Sequence, residues 1–279
     1  MDRRKLSGLL LVSLLFSLFA RVGPVAAAPV ATPDDGVTGV KSVTAKVLCY
    51  GSSKFSKQMI VWVNNNSSRP IEVVYVGGID YGAPQNPASV VSGWNQAVEQ
   101  SVAPGETITY ETNLGNDSDK VFGGALVVTS RGILQPMCNE QVVHLWSDPG
   151  LPANNSEDAM NQEVTIAVTT IGQLESLRAY PALYAMMHPD SQAHLTVDTL
   201  SCWYAKQFGV PSDWKETVFT TTIDKLDIVN SWVWAPERIR YERGVAIVDI
   251  TQSIGGIAKT QDVTSTLHLV ESAGVWRWF

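Results

Sequence analysis

The sequence predicts an all-β sandwich domain followed by an α+β domain, in which helices pack on an antiparallel sheet. Three observations predict it. Residues 40–146 carry short β-branched runs at the spacing of a sandwich. Residues 164–208 switch to helical periodicity, and the remainder returns to long β-branched runs broken by Gly and Pro. With 279 residues, 45% hydrophobic and 17% charged, the chain has apolar material for a core and too little charge for disorder. A net charge of −7 without a long basic run excludes nucleic acid as a partner class.

Residues 1–27 read as a secretory signal peptide. Arg3, Arg4 and Lys5 precede an apolar run from Leu6 to Ala20, and Val25-Ala26-Ala27 is a small-x-Ala cleavage pattern. An uncleaved anchor helix is the competing reading of this segment. Removing it takes the formal charge from −7 to −10, since four basic residues and one acid leave with it. No later run is apolar and long enough to span a bilayer. The expected location is secreted, periplasmic or on the cell-envelope exterior, with no membrane contact once the signal is gone.

The β half follows. Val43–Tyr50 is β-branched, and Met59–Val63 and Ile71–Val76 flank a turn-rich segment, residues 64–70, that suggests a hairpin. Gly77-Gly78 and residues 82–87 read as a loop, and Pro104-Gly105 as a turn before the alternating Thr107–Thr112. Residues 115–120 are a polar loop, and Val121–Ser130 and Gln141–Trp146 complete six or seven short strands. That count over residues 40–146 fits an immunoglobulin-like sandwich. Cys49 and Cys138 both fall in strand-like sequence here, so an oxidising compartment pairs them and leaves Cys202 free.

Residues 147–163 form a polar linker with two prolines and a glycine, so few core contacts are expected to cross it. Thr170 with Gln173 is a capping-box candidate, and Ile171, Leu174, Leu177, Leu183, Met186 and Met187 form an apolar face. Pro181 divides this helix and Pro189 ends it. Thr196 caps a second helix to about Phe208, which Gly209 and Pro211 stop. Four strands follow: Glu216–Trp234, Ile239–Ser253, Gln261–Glu271 and Val275–Phe279, with turns at Pro236, Gly255-Gly256 and Ala273-Gly274.

Residues 164–279 carry Tyr180-Pro-Ala-Leu-Tyr184, His188-Pro-Asp190, Trp203-Tyr204, Trp232-Val-Trp234 and the closing Gly274-Val-Trp-Arg-Trp-Phe279. On these residues the segment resembles the nuclear-transport-factor-two-like superfamily, which includes ketosteroid isomerase and SnoaL-like proteins. The resemblance implies an α+β cone fold, helices closing one side of a curved antiparallel sheet around a pocket. The fold class is then an all-β immunoglobulin-like sandwich followed by an α+β cone-fold domain. Members of that superfamily include enzymes and binding or dimerising modules, so the fold alone does not assign an activity.

The chemistry-bearing residues leave two readings open. Trp232 and Trp234 share one strand face, as do Trp276 and Trp278. With Tyr184, Trp203 and Tyr204 they either line an apolar ligand pocket or fill it as core. His188, Asp190 and His194 cluster at a helix end, but their spacing is broken by Pro189 and does not hold a metal. Asp249, with Tyr204 or Tyr241 as donor, is the nearest approach to a carboxylate base. It lies beside Thr251-Gln252-Ser253, which favours a surface role. Arg238, Arg240 and Glu242 alternate as a solvated, ion-paired strand face. Sequons at Asn65, Asn66, Asn116 and Asn154 matter only in a glycosylating host.

These observations point to a non-catalytic exported binding or interaction protein, with no cofactor, metal or catalytic residue assigned. Its expected partner is an apolar small molecule or a protein, and the α+β sheet offers a dimerisation face. A small-molecule isomerase or hydrolase and a structural cell-envelope module are the alternatives.

Overall fold

The computed structural model describes residues 43–50, 57–80, 90–114, 121–138, 141–145, 157–208, 217–255 and 260–279. The signal segment, the loops at 82–87 and 115–120, most of the linker, and the residues after Phe208 and Gly255 lie outside them. Eight strands come first: β1 Val43–Tyr50, β2 Gln58–Asn65, β3 Ile71–Asp80, β4 Val90–Val102, β5 Thr107–Asn113, β6 Phe122–Thr129, β7 Gly132–Leu134 and β8 Val143–Leu145. Four helices follow: α1 Glu157–Ser176, α2 Tyr180–Ala185, α3 Pro189–Gln192 and α4 Val197–Phe208. Strands β9 Thr217–Trp234, β10 Ile239–Gly255, β11 Thr260–Ser272 and β12 Val275–Trp278 end the chain.

Three antiparallel sheets result, ordered β5-β2-β1-β8, β4-β3-β6-β7 and β12-β11-β10-β9. The first shows period-two burial: Val43, Ala45 and Val47 on β1 and Met59, Val61 and Val63 on β2 face inward. They meet Ile71, Val73, Val76, Phe122, Ala125 and Val127 of the second sheet, which makes the sandwich core. Strand β6 is buried at every position, because the second sheet has a layer on each face. Leu126 and Val128 point the other way, into a second core with α1, α2 and the third sheet. A register shift between Val73 and Tyr75 brings Val74 and Tyr75 together onto that helix-facing side.

Several expectations are corrected here. Residues 64–70 do not close a hairpin: β2 pairs with β1 and β5, β3 with β4 and β6, so the segment crosses between sheets. Asn65 organises it. Its buried amide donates to the Arg69 and Val102 carbonyls at 2.7 and 2.9 Å and accepts from the Ser67 N–H at 3.0 Å. Gly77 and Gly78 lie within β3, not in a loop. A Cβ at Gly77 would sit 2.3 Å from the Tyr75 hydroxyl, and one at Gly78 2.4 Å from the Phe122 ring. Glycine is required there by the two aromatic side chains, not by a turn. Strand β4 escapes the sequence reading altogether.

Thr170 is not a cap: α1 runs straight through it, and it is buried at mid-helix. The helix starts at Glu157, inside the expected linker. Pro181 sits in the first turn of α2, and Pro189 opens α3 behind the His188 N-cap. Thr196 does cap α4, accepting from the Thr199 N–H at 3.2 Å. The expectation of independent cores also fails. Val74, Tyr75, Ile79, Leu126 and Val128 of the β half share one cluster with Val164, Leu174, Leu183, Val248 and Trp276.

Cys49, near the end of β1, is disulfide-bonded to Cys138, with the Cα atoms 5.5 Å apart. Cys138 follows the segment that bridges β6 through Gly124 and Met137, so the bond ties the two sandwich sheets. Cys202 is a free, exposed thiol.

Candidate functional site

The β9–β10 hairpin is the longest in the molecule's third sheet, and its tip carries the site. Its ladder is interrupted between Glu242 and Val245, where Arg243 and Gly244 take φ values of 74° and 54°. Beyond that bulge Trp232 pairs with Tyr241 and Trp234 with Ile239. The Trp232 and Tyr241 rings stack at 5.9 Å. Trp232 also stacks on His268 of β11 at 4.5 Å. Phe279, whose N–H donates to the His268 carbonyl, touches Trp232 at 5.0 Å, Tyr241 at 5.2 Å and Trp234 at 5.4 Å.

The His188-Pro-Asp190 turn supplies the polar side. His188 stacks on Phe279 at 4.5 Å and meets Tyr241 edge-on at 5.1 Å. Its Nδ1 accepts the Asp190 N–H at 3.2 Å, which caps α3 and assigns that nitrogen as an acceptor. Tyr241 donates its hydroxyl to the Asp190 carboxylate. At the rim, exposed His194 lies 3.3 Å from Glu237 and edge-on to Trp234. His188 is buried; Trp232, Trp234, Tyr241, His268 and Phe279 are half-buried.

Burial pushes the His188 imidazole below the usual histidine range. Asp190 opposes this and Arg277 adds to it. His268 is likewise lowered by burial, against the pull of Asp249. Burial raises the Tyr241 hydroxyl, with Asp190 adding to the effect. Both lowered imidazoles favour their uncharged form at neutral pH, and the aromatic rings lie beside the Asp190 carboxylate that Tyr241 hydrogen-bonds. No group of three metal-ligating side chains occurs among the described residues.

The seven aromatic residues picked out from the sequence divide among three places. Trp232 and Trp234 belong to the cluster above. Trp276, Tyr204, Tyr184 and Trp278 pack in or against the shared core. Trp276 Nε1 donates toward Glu163 at 3.4 Å, Trp278 Nε1 to the Leu183 carbonyl at 3.1 Å, and the Tyr184 hydroxyl to the Leu195 carbonyl at 2.9 Å. Trp203 is 42% exposed, with its ring edge-on to Tyr204 at 4.9 Å. Asp249 accepts from the Thr266 hydroxyl at 2.6 Å on the sheet surface. Arg240 lies 3.4 Å from Glu242 and donates to Ser231 across the hairpin.

A second polar feature lies where α1, α4 and β10 meet. The Glu175 carboxylate accepts from the Tyr204 hydroxyl at 2.7 Å and from Gln252 Nε2. Burial raises the Glu175 carboxyl above its ordinary value, and the two hydrogen bonds only partly offset this. Tyr180 packs on Tyr204 at 5.3 Å with its buried hydroxyl unpartnered. Sequence reasoning missed Phe279, His268 and Glu175. Each is a single residue in an ordinary strand or helix pattern, and only long-range pairing brings it to its partners.

No family model matches this chain, and no curated protein or solved structure matches it. No helix among the described residues is long and apolar enough to cross a membrane.

Proposed function

We propose that the protein is an exported, non-catalytic binding or interaction protein. In this reading an immunoglobulin-like sandwich is joined to a cone-fold domain of the nuclear-transport-factor-two-like kind. Recognition of an apolar or aromatic group runs through the cluster around Phe279. The observation that carries the reading is the gathering of Trp232, Trp234, Tyr241, His268 and Phe279, all half-buried, beside imidazoles held neutral. Half-buried aromatic rings are the surface most used for partner contact. A partner covering about 200 Å² of such surface gains roughly 5 kcal/mol before ordering costs. The Cys49–Cys138 disulfide supports an oxidising compartment, in line with the signal-like N-terminal segment.

The test is Trp232→Ala, read by thermal melting and by binding of a hydrophobic fluorescent probe. Weakened probe binding at little-changed melting temperature supports a recognition surface. A large loss of stability, in the roughly 3–5 kcal/mol range of a core tryptophan, makes the cluster structural and removes the proposal.

One observation favours a second reading, an isomerase- or hydrolase-type enzyme. A carboxyl raised by burial beside a tyrosine hydroxyl, as at Glu175 and Tyr204, suits general acid chemistry. It requires turnover of an activated ester or an enolisable ketone that Glu175→Gln abolishes with the fold intact. Background rates with both probes would remove it.

A further inference from the structure

The rings of the aromatic cluster are not equivalent. Trp232 lies nearly parallel to Tyr241 and to His268, at interplanar angles of 19° and 21°, and Phe279 lies nearly parallel to His188, at 18°. Trp234 meets its ring neighbours His194 and Phe279 only at 62° and 53°, and it stacks face to face on no ring among the described residues. It is half-buried at the end of β9, beside Val233, which is 51% exposed. Its stacking surface is therefore not used up by the fold.

Polar side chains with spare bonding capacity accompany these rings. Asp190 takes the Tyr241 hydroxyl on Oδ2, its side chain is 39% exposed, and its Oδ1 has no partner among the described residues. Glu237, in the β9–β10 turn, faces His194 through Oε1, is 48% exposed, and keeps Oε2 without a partner among the described residues. Asp190 stands in the first turn of α3 and His194 just beyond its end, so one short segment ties the carboxylate at Tyr241 to the ion pair at Trp234. His188 is only 8% exposed, and its Nδ1 accepts the Asp190 N–H. The neutral ring then carries its proton on Nε2, a donor with no partner among the described residues. Charges at this end of the hairpin balance, with Asp190, Glu237 and Glu242 set against Arg238, Arg240 and Arg243.

We propose, on the reading of this cluster as a recognition surface, that it binds a neutral saccharide with equatorially substituted pyranose rings, one ring lying on Trp234 and the hydroxyls directed toward Asp190, Glu237 and His188. Such a pyranose has two faces made of axial C–H bonds. The oxygens on its carbons leave those hydrogens partly positive, and an aromatic face is negative, so the two surfaces attract. A hydroxyl also donates to a carboxylate in a charge-assisted bond and accepts from an imidazole N–H. A wholly apolar ligand would take water from Asp190 and Glu237 and return no hydrogen bond, which costs free energy. Balanced charge gives no advantage to an anion or a cation. The rings pack on one another at 4.5–5.9 Å, forming a platform and not the open box of rings that holds a quaternary ammonium group.

The experiment is calorimetric titration of the full chain with cellotetraose and with chitotetraose, both neutral and equatorially substituted, and with the β-1,4-linked tetramers of glucosamine and glucuronic acid as cationic and anionic counterparts. The expected result is saturable binding of at least one neutral tetramer, with neither charged tetramer tighter. Trp234→Ala should weaken that binding at least roughly tenfold, and Trp234→Phe, which keeps a ring, should retain most of it. Glu237→Gln should weaken it roughly three- to tenfold, the loss of one charge-assisted bond at an exposed position. Melting curves check that each variant folds, and Glu237→Gln carries the test if Trp234→Ala does not. No heat with either neutral tetramer at millimolar concentration overturns the proposal. So does tighter binding of a charged tetramer, and so does binding indifferent to both Trp234→Ala and Glu237→Gln. Failure here is distinct from failure of the recognition surface itself. A chain that binds the hydrophobic probe through Trp232 but neither neutral tetramer keeps the surface and loses the saccharide, whereas a chain that binds none of the three loses both.

Discussion

Arg277 shows how much one side chain in this molecule can connect. It is only 3% exposed, and it donates to the Ala185 carbonyl at 2.8 Å and to Glu99 at 2.9 Å. It thereby links β12, α2 and β4, elements from both halves. Glu99 is 68% exposed, and an ordinary surface position tolerates change within about 0.5 kcal/mol. Here its loss removes the only carboxylate that Arg277 is seen to hydrogen-bond and leaves the buried guanidinium to the weaker pull of Glu72. Glu99→Ala should therefore cost about 1–2 kcal/mol in urea unfolding, more than its exposure suggests. Glu175 and the histidines give opposite pH signatures. Glu175 is raised in the folded state, so folding takes up a proton between its ordinary value of 4.5 and its raised value. Stability falls as pH climbs through that window, and Glu175→Gln should flatten the fall. His188 and His268 are lowered by burial from an ordinary 6.5. Their share of stability is present above 6.5 and is lost as pH drops toward their folded-state values. Melting temperatures of wild type and Glu175→Gln across this range separate the two effects.

Among the elements, β3 and β6 are the most constrained, because both of their faces are covered. Glycine in β3 admits the Phe122 ring, which is fully buried and has no room to retreat. Gly78→Ala should destabilise by roughly 1–3 kcal/mol, the range of overpacking in a tight core, measurable by chemical denaturation. The disulfide acts at the same scale. It closes a span of 89 residues between β1 and the segment beside β6. In the chain-entropy model a loop of that size contributes roughly 4–5 kcal/mol. Reduction should lower the melting temperature, and the Cys49→Ala/Cys138→Ala double variant should reproduce that loss. Cys202→Ser should leave it unchanged, since that thiol is exposed and unbonded.

At the scale of the whole molecule the second sheet is shared property. It closes the sandwich on one face and receives α1 and α2 on the other. Unfolding either half strips apolar cover from the other, so heating should give one cooperative transition, with calorimetric and van't Hoff enthalpies in agreement. A fragment of residues 40–146 exposes Val74, Tyr75, Leu126 and Val128 along one face. It should bind a hydrophobic dye strongly and aggregate, whereas the intact chain should not. A fragment that stays monomeric and dye-silent would show that the shared layer contributes little.

The amino-acid sequence by itself determined the local features of this protein. Alternation in Val43–Val47 and Met59–Val63, the Thr196 cap, the turns at Pro236 and Ala273-Gly274, and the bounds of β9 to β12 are set by neighbours in the chain. Such signals are short-range preferences of φ, rotamer and period, so they are legible without a fold. The tertiary structure alone decided the rest. It turned residues 64–70 from a hairpin into a crossover, because register follows from which face finds a core. It carried α1 through Thr170, because packing on β9 and the second sheet outweighs a local capping preference. Of the candidate site, Trp232, Trp234, Tyr241, His188 and Asp190 stood out as residue types. Their union with His268 and Phe279 depends on strand pairings between distant segments, and no local pattern encodes which segments those are.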